Sequence, residues 1–160
     1  MSIETVRAYL APFGVADRIQ EFPVSSATVE LAAQALGIEG ARIAKSLSFQ
    51  MGEQTVIVVA AGDARVDNRK FKAQFQTKAK MLSHEETAER TGHAVGGVCP
   101  FALPEGVRVY LDISLKRFSS VYPAAGSGNS ALELSCQELE RCSSGFDGWV
   151  DVCQGWNSEA

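Results

Sequence analysis

The sequence lacks long apolar runs, metal-ligand spacings and a large excess of charge of one sign. Its longest apolar run is Val56 to Ala61, whereas a membrane-spanning helix needs roughly 20 apolar residues. It has two histidines and four cysteines, and the cysteines show no CxxC spacing, which argues against a zinc site and favours reduced thiols. No basic and apolar leader precedes Pro12, so we expect no signal peptide and a cytoplasmic location without membrane contact.

The 160 residues, of which 46% are hydrophobic, suffice for one compact domain spanning residues 1–160. The net charge of −4 argues weakly against nonspecific coating of nucleic acid. The charge is unevenly distributed, because Arg65 to Lys80 holds six basic residues against one acid, and Glu133 to Ala160 holds six acids against one base. The basic stretch predicts either an ordinary solvated helix face, which is the commoner case, or a local surface for phosphate groups.

Periodicity and capping residues predict helices and strands in mixed order. Helices are expected over residues 3–13, within 25–37 with a serine or threonine cap, and over 68–76, 83–92 and 135–145. Strands are expected near 18–22, over 42–49 and 55–62 as an antiparallel hairpin, and at 107–113, 130–135 and 149–153. A helix over 42–49 stays open, since Ile43 and Leu47 are also i, i+4 partners. The order predicts a mixed α/β domain around a strongly curved or barrel-like sheet.

Lys45 is unusual because strand alternation places it on the same face as Ile43, Leu47 and Phe49. An ammonium group on an apolar face loses its hydration and must either lose its proton or find an anion. The position indicates either a functional cation or a lysine near a strand end whose stem reaches solvent.

A second candidate site is the sequence GGVCP at residues 96–100. Adjacent glycines let backbone amides approach a ligand closely, and such a loop can present N–H groups to a carbonyl or a developing oxyanion. A plain tight turn is the commoner explanation. Cys99 in this loop is a candidate nucleophile with His84 or His93 as base, although a buried structural thiol is the commoner role.

A third stretch, residues 124–134, places a glycine-rich turn ahead of a strand and brings Ser127, Asn129 and Ser130 to its mouth. It matches neither a P-loop nor a dinucleotide fingerprint.

Taken in order, five segments resemble the YbaK/EbsC family of aminoacyl-tRNA deacylases, relatives of the editing domain inserted in bacterial prolyl-tRNA synthetases. The segments are VELAAQALGIEGARIAKSLSF, VIVVAAGDARVDNRKF, AVGGVCPF, GVRVYLDISLKRF and GSGNSALELS, within about residues 28–137. The resemblance implies a YbaK-like fold, in which helices surround a partly open mixed β-barrel, and a pocket for the aminoacylated 3′ end of a tRNA.

The resemblance also implies roles for individual residues. The family's lysine and its GxxxP loop supply the catalytic candidates Lys45, Gly96, Gly97 and Val98. The substrate-binding candidates are Ser46, Cys99, Pro100, Phe101, Gly126, Ser127, Asn129 and Ser130. The candidate tRNA contacts are Arg65, Arg69, Lys70 and Lys72.

The activity implied by the resemblance is hydrolysis, in trans, of the ester of a mischarged tRNA, of the alanyl or cysteinyl type on proline-specific tRNA. No cofactor or metal is expected, and either water or a group of the substrate supplies the nucleophile. The expected partner is the acceptor end of aminoacyl-tRNA, and a prolyl-tRNA synthetase complex is a further candidate. Two alternatives stay open: a protein of the same fold that binds a nucleotide or tRNA end without hydrolysis, and a hydrolase that uses Cys99.

Overall fold

Five α-helices and nine strands follow one another in irregular order over residues 2–156, the part of the chain that the computed structural model describes. In chain order the elements are α1 (Ser2–Leu10), β1 (Gln20–Glu21), α2 (Val29–Leu36), β2 (Ile43–Met51), β3 (Gln54–Ala61), β4 (Arg65–Val66), α3 (Asn68–Phe75), α4 (His84–Thr91), β5 (Arg108–Asp112), β6 (Tyr122–Pro123), β7 (Ser130–Ala131), α5 (Cys136–Cys142), β8 (Phe146–Val150) and β9 (Cys153–Gln154). Short 3-10 helices occupy Ala11–Phe13, Ala16–Arg18, Gly40–Arg42 and Ile113–Arg117.

Strand β3 lies at the centre of a five-stranded sheet with the order β6-β2-β3-β5-β8. It pairs antiparallel with β2 and parallel with β5. At the two edges of the sheet, β6 pairs in parallel with β2, and β8 pairs in parallel with β5. Residues 55–61 are buried throughout, as expected for a central strand that is covered on both faces. The sheet curls into a half-barrel. The predicted hairpin and curved sheet are therefore confirmed, and the helical alternative over 42–49 is wrong.

Local capping sets the helix starts that the sequence predicts. The side chain of Thr28 accepts a hydrogen bond from the backbone of α2, and the side chain of Asp67 accepts two from α3. Ser83 and Ser135 each form a capping box with the glutamate three residues further on. Each cap satisfies N–H groups that the first turn of a helix would otherwise leave unpaired.

Two predicted boundaries near the C-terminus are wrong. The last helix ends at Cys142 instead of reaching Gly145, because Ser143 already has an extended backbone. The predicted strand over 130–135 shortens to β7, which pairs with β1, because the following residues form isolated bridges and hydrogen bonds with the segment 121–124 instead.

The predicted final strand over 149–153 is in fact two strands in different sheets. Strand β8 pairs with β5, and β9 pairs antiparallel with β4. Between them the N–H of Val152 donates to Oδ1 of Asp112 at 2.9 Å, and the N–H of Asp67 donates to the carbonyl of Val152 at 2.8 Å. These contacts with distant residues lead the chain out of one sheet and into the other.

A row of aromatic rings connects helix α3 to the central sheet. Ring centroids lie 4.9 Å apart for Phe49 and Phe71, 4.7 Å for Phe71 and Phe75, and 4.9 Å for Phe75 and Tyr110. Such pairs contribute about 0.5–1.5 kcal/mol each beyond the burial of their surface. Helix α3 thus turns its aromatic stripe towards the core, as the i, i+4 spacing of its two phenylalanines predicts, and its basic side chains lie on other faces.

No helix within residues 2–156 is both long enough and apolar enough to cross a membrane.

Candidate active site

A cavity of about 340 Å³ lies alongside strand β2. Its walls come from β2, the segment leading into α2, the beginning of α4, the loop at residues 95–98 and the segment around β6 and β7. Five of the site residues predicted from the sequence meet here, namely Lys45, Ser46, Gly96, Val98 and Ser130. Among the described residues that line the cavity there are a lysine and a histidine but no carboxylate, so the cavity suits a ligand with anionic or neutral polar groups.

The ammonium group of Lys45 is half-buried and is bound by backbone carbonyls. Its Nζ donates to the carbonyl oxygen of Gly62 at 3.4 Å and to that of Ala64, in the turn that follows β3. Burial lowers the pKa of Lys45, and the nearby negative charge of Asp63 opposes part of that decrease. The amine is therefore held in place at the cavity wall, and the interpretation of Lys45 as a solvent-reaching lysine does not describe its contacts.

The glycine-rich loop packs against two neighbouring segments so closely that side chains are excluded. A Cβ atom on Gly96, whose φ is +98°, would lie 2.9 Å from the Cβ of Ala27. A Cβ atom on Gly97 would lie 2.7 Å from the backbone nitrogen of Ser127 and 2.8 Å from the carbonyl carbon of Gly126. Real Cβ atoms do not approach other atoms so closely, and L side chains rarely adopt the positive φ of Gly96, so both positions favour glycine.

The backbone amides of this loop are not all available to a ligand. The N–H of Gly97 donates to the carbonyl of Ala94 at 2.9 Å, which closes a turn within the loop. Gly96 and Val98 line the cavity, whereas Gly97 does not. The N–H of Gly97 is therefore used within the loop, and Gly96 and Val98 are the residues of the loop that border the cavity.

The turn at residues 126–130 supports the loop and adds one hydroxyl group to the cavity wall. The hydroxyl of Ser127 lies 2.6 Å from that of Ser130 and donates to Oδ1 of Asn129 at 2.9 Å. The amide of Asn129 donates to the carbonyl of Phe22 at 3.0 Å. Of these side chains only that of Ser130 lines the cavity. Ser127 and Asn129, like the buried Gly126, belong to the structure that holds Ser130 and Gly97 together.

Cys99, Pro100 and Phe101 are buried behind the loop and do not line the cavity. The Sγ of Cys99 lies 3.6 Å from Nε2 of His93, which in turn lies 2.8 Å from the carbonyl oxygen of Phe101. Burial raises the pKa of the Cys99 thiol to about 12 and lowers the pKa of His93. Because the thiolate is the reactive form of cysteine, a protonated and enclosed thiol argues against a hydrolase that uses Cys99.

The four basic residues predicted to contact tRNA lie outside the cavity. Arg65, Arg69 and Lys72 are exposed. The Nζ of Lys70 donates to Oδ1 of Asp151 at 3.1 Å and to the carbonyl of Cys153 at 3.0 Å. The charge of Lys70 is thus partly compensated within the protein, while the other three are available on the surface.

Several cavity residues were not predicted from the sequence. Ser26 is buried, lines the cavity and has a hydroxyl without a hydrogen-bond partner among the described residues. Tyr122 lines the cavity, and the Cζ of Arg42 lies 5.1 Å from the centroid of its ring. Met81 and Val95, which also line it, are exposed over 60% and 50% of their surface. These residues lie outside any periodic pattern, so only the tertiary contacts reveal them.

No group of three or more histidine, cysteine, aspartate or glutamate side chains within residues 2–156 is arranged to hold a metal ion.

The comparison with protein families decides what this arrangement belongs to. The sequence pattern of the aminoacyl-tRNA editing domain matches residues 24–142, which include β2, the glycine-rich loop and β7. The chain belongs to the aminoacyl-tRNA editing domain family. The family predicted from the five sequence segments is therefore confirmed.

Two relatives of this editing-domain protein differ in how much of their own length it covers. It is 50% identical over 157 residues to the uncharacterized protein YwhH of Bacillus subtilis (strain 168), covering 98% of this chain and 99% of that protein. It is 31% identical over 90 residues to the proline–tRNA ligase of Lysinibacillus sphaericus (strain C3-41), covering 56% of this chain but only 16% of the ligase.

The fold of the editing-domain protein matches a solved structure of similar length. A crystal structure of a candidate trans-editing enzyme for prolyl-tRNA synthetase superposes with a TM-score of 0.86 at 29% sequence identity, covering 96% of this chain and 98% of the other. The predicted YbaK-like fold, with a partly open mixed sheet and surrounding helices, is confirmed by this match and by the sheet order described above.

Proposed function

We propose that this protein is a trans-acting aminoacyl-tRNA deacylase that hydrolyses the ester of a mischarged tRNA, of the alanyl or cysteinyl type on proline-specific tRNA. The observation that carries the proposal is that Lys45 and the loop containing Gly96 line one cavity free of carboxylates among the described residues. The editing-domain family and the fold match to a candidate trans-editing enzyme support the same activity.

In the proposed reaction the protein positions the substrate and stabilises charge. The ammonium group of Lys45 attracts the terminal phosphates of the tRNA or the negative charge that develops on the ester. The backbone N–H of Gly96 or of Val98 donates a hydrogen bond to the ester carbonyl, which becomes an oxyanion when the nucleophile adds. Water attacks the carbonyl carbon, the bond from that carbon to the ribose oxygen breaks, and a proton from the water passes to the ribose oxygen. This releases the amino acid and leaves a free hydroxyl on the tRNA. Where a hydroxyl of the substrate attacks first, the acyl group moves to that hydroxyl, and water hydrolyses the new ester in a second step and regenerates the hydroxyl.

The proposed reaction needs no nucleophile from the protein. An aminoacyl ester is already activated, and accurate placement of two reactants can supply several kcal/mol of the reduction in barrier. The enclosed, protonated Cys99 is consistent with this, since burial holds its pKa at about 12. The cavity volume of about 340 Å³ lies at the small end of ligand pockets, which supports a small aminoacyl group.

The proposal extends to the partners and the setting of the protein. We propose that residues 1–160 act as one editing domain in the cytoplasm, where charged tRNA is used. The exposed Arg65, Arg69 and Lys72 are candidates for contact with the acceptor stem, and Lys70, paired with Asp151, is a weaker candidate. A prolyl-tRNA synthetase complex is a further candidate partner.

The experiment that tests the proposal is a deacylation assay with alanyl, cysteinyl, seryl and prolyl esters of proline-specific tRNA and of two unrelated tRNAs. We expect multiple-turnover hydrolysis of at least one non-cognate ester and slower hydrolysis of the prolyl ester. Retention of every ester, with measurable binding of the charged tRNA, would instead identify a protein that binds the tRNA end without hydrolysis.

A further inference from the structure

Strand β2 has an edge that is open along the cavity. On that side, parallel pairing with β6 ends at Ala44. The next backbone pairing on the same side is the isolated bridge between Phe49 and Met81. Within residues 2–156 no strand pairs with this edge between those two points. Ser46 lies in the middle of the open segment and lines the cavity.

The hydrogen bonds on either side of the opening fix the direction of the Ser46 backbone. The carbonyl of Ser48 accepts a hydrogen bond from the N–H of Leu82 at 3.1 Å, and the N–H of Gln50 donates to the carbonyl of Lys80 at 2.8 Å. Both contacts lie on the edge opposite β3. Because residues two apart in a strand direct their N–H and C=O groups to the same edge, those of Ser46 also face away from β3, towards the cavity.

The two backbone groups of Ser46 match the part that all aminoacyl esters share. In an antiparallel pair, one residue offers an N–H and a C=O side by side and exchanges two hydrogen bonds with its partner. An α-aminoacyl group carries the same pattern, with an amino donor and a carbonyl acceptor separated by one carbon. The described lining of the cavity has no carboxylate that could receive an α-ammonium group, so an uncharged oxygen accepts its hydrogen bond, and the carbonyl of Ser46 is the one whose own N–H faces the cavity beside it.

We propose that the backbone of Ser46 recognises the α-aminoacyl group of the substrate in the manner of a paired strand. Its C=O accepts a hydrogen bond from the α-ammonium group, and its N–H donates to the ester carbonyl. That carbonyl oxygen has two lone pairs, so it can also accept from the backbone N–H of Gly96 or of Val98. This inference rests on the proposed deacylase function. It means that β2 binds the α-ammonium group of the substrate whichever amino-acid side chain the substrate carries.

The first test compares two esters on the same tRNA, alanyl and propionyl, which differ only in the α-amino group. Each kcat/KM is divided by the rate of nonenzymatic hydrolysis, because the ammonium group itself activates the ester. A hydrogen bond to a charged group predicts a preference of roughly tenfold or more for the alanyl ester. Equal normalised rates for the two esters would overturn the inference while leaving the deacylase function intact.

The second test changes the protein. Ser46→Pro deletes the N–H that faces the cavity, and proline is tolerated at strand positions whose N–H faces an open edge. Ser46→Ala is the matched control, because it removes the hydroxyl and keeps both backbone groups. We expect Ser46→Pro to lower kcat/KM for the alanyl ester by roughly tenfold or more relative to Ser46→Ala, and Ser46→Ala to retain the preference for alanyl over propionyl. Equal kcat/KM in the two variants would contradict the role of the N–H.

A binding measurement on the unchanged protein covers the case in which Ser46→Pro does not fold. The probes are 3′-deoxyadenosines that carry an alanyl or a propionyl group in a stable amide at the 3′ position. Calorimetry should give a Kd roughly tenfold or more lower for the alanyl amide, and equal Kd values would refute the inference. If the protein hydrolysed none of the esters but still bound the alanyl amide more tightly than the propionyl amide, the deacylase function would be refuted and the inference about Ser46 would stand.

Discussion

The ammonium group of Lys45 donates a hydrogen bond to the backbone carbonyl of Ala64, and within residues 2–156 it forms no ion pair with a carboxylate. A carbonyl dipole orients the cation without neutralising it. The positive charge therefore remains available to an anionic group that enters the cavity, at the cost of partial burial, which lowers the pKa of the amine. A cation held in this way is suited to a substrate that brings its own negative charge.

Replacing Lys45 by alanine should remove most of the deacylation while the protein stays folded. The expected loss in kcat is roughly hundredfold, the size found when one group that stabilises transition-state charge is deleted. Lys116→Ala is the control, since that lysine is exposed, lies over the ring of Trp149 at 4.5 Å and does not line the cavity. Deacylation assays measure the loss of turnover, and circular dichroism checks that the variant stays folded. Unchanged turnover in Lys45→Ala would eliminate the proposed mechanism.

Gly97→Ala should destabilise the protein and lower activity together. The new Cβ atom would meet the backbone of Ser127 at 2.7 Å, so the loop must shift, at about 1–3 kcal/mol in the free energy of unfolding. Gly128→Ala is the matched control, because its Cβ atom would meet only the Cβ of Ala27 at an ordinary 3.7 Å. Urea denaturation compares the two variants, and equal midpoints would show that the loop can move without cost.

Cys99 should resist alkylation in the folded protein. It is fully buried, and its pKa is raised to about 12, so little thiolate forms at neutral pH. Under native conditions iodoacetamide should modify the half-buried Cys136 before Cys99, as read by mass spectrometry of peptides. Rapid labelling of Cys99 together with loss of turnover would revive the hydrolase that uses this cysteine.

The ion pair between Arg18 and Glu138 should add to the free energy of unfolding at neutral and mildly acidic pH and should cease to do so at strongly acidic pH. Hydrogen bonding to Arg18 lowers the pKa of Glu138 from 4.5 to about 2. A carboxyl group whose pKa is lower in the folded than in the unfolded protein stabilises the fold at pH values above its unfolded-state pKa. That stabilisation is lost as the pH falls towards and through its folded-state pKa. Because the Arg18 side chain is 42% exposed, screening limits the contribution to about 1 kcal/mol.

Glu138→Gln should therefore lower the free energy of unfolding by about 1 kcal/mol at pH 7. The difference in unfolding free energy between the variant and the unchanged protein should disappear near pH 2, the pKa of Glu138 in the folded protein. Glu89→Gln, at an exposed position of α4, controls for the loss of one charge. Chemical denaturation across this pH range measures the difference, and a constant difference down to pH 2 would mean that the ion pair is not its source.

The sequence predicts well those features that depend on contacts within a few residues. Thr28, Asp67, Ser83 and Ser135 begin helices because each side chain bonds to a backbone N–H two or three residues further on. The hairpin of β2 and β3 follows from two β-rich segments joined by a two-residue turn. The family follows in the same way, because its motifs are short segments that can be recognised in order.

Other features depend on contacts between distant residues and were missed or misplaced. The final strand divides because Val152 bonds to Asp112 and Asp67, and neither partner is near it in sequence. Cys99 to Phe101 begin two residues after Gly97, yet they are buried and do not line the cavity. Ser26 and Tyr122 reach the cavity from segments that carry no periodic signal.

For this protein, then, the sequence by itself determined the helix starts, the central hairpin, the editing-domain family and the presence of a lysine on an apolar strand face. Only the tertiary structure decided that two backbone carbonyls hold this lysine, that Gly97 fixes the loop while its neighbours face the cavity, and that one edge of β2 stays open at Ser46. The physical reason is the separation in sequence of the residues that make the contacts. Caps and turns are completed within a few residues, whereas a cavity exists only where segments far apart in sequence pack together and leave backbone groups uncovered.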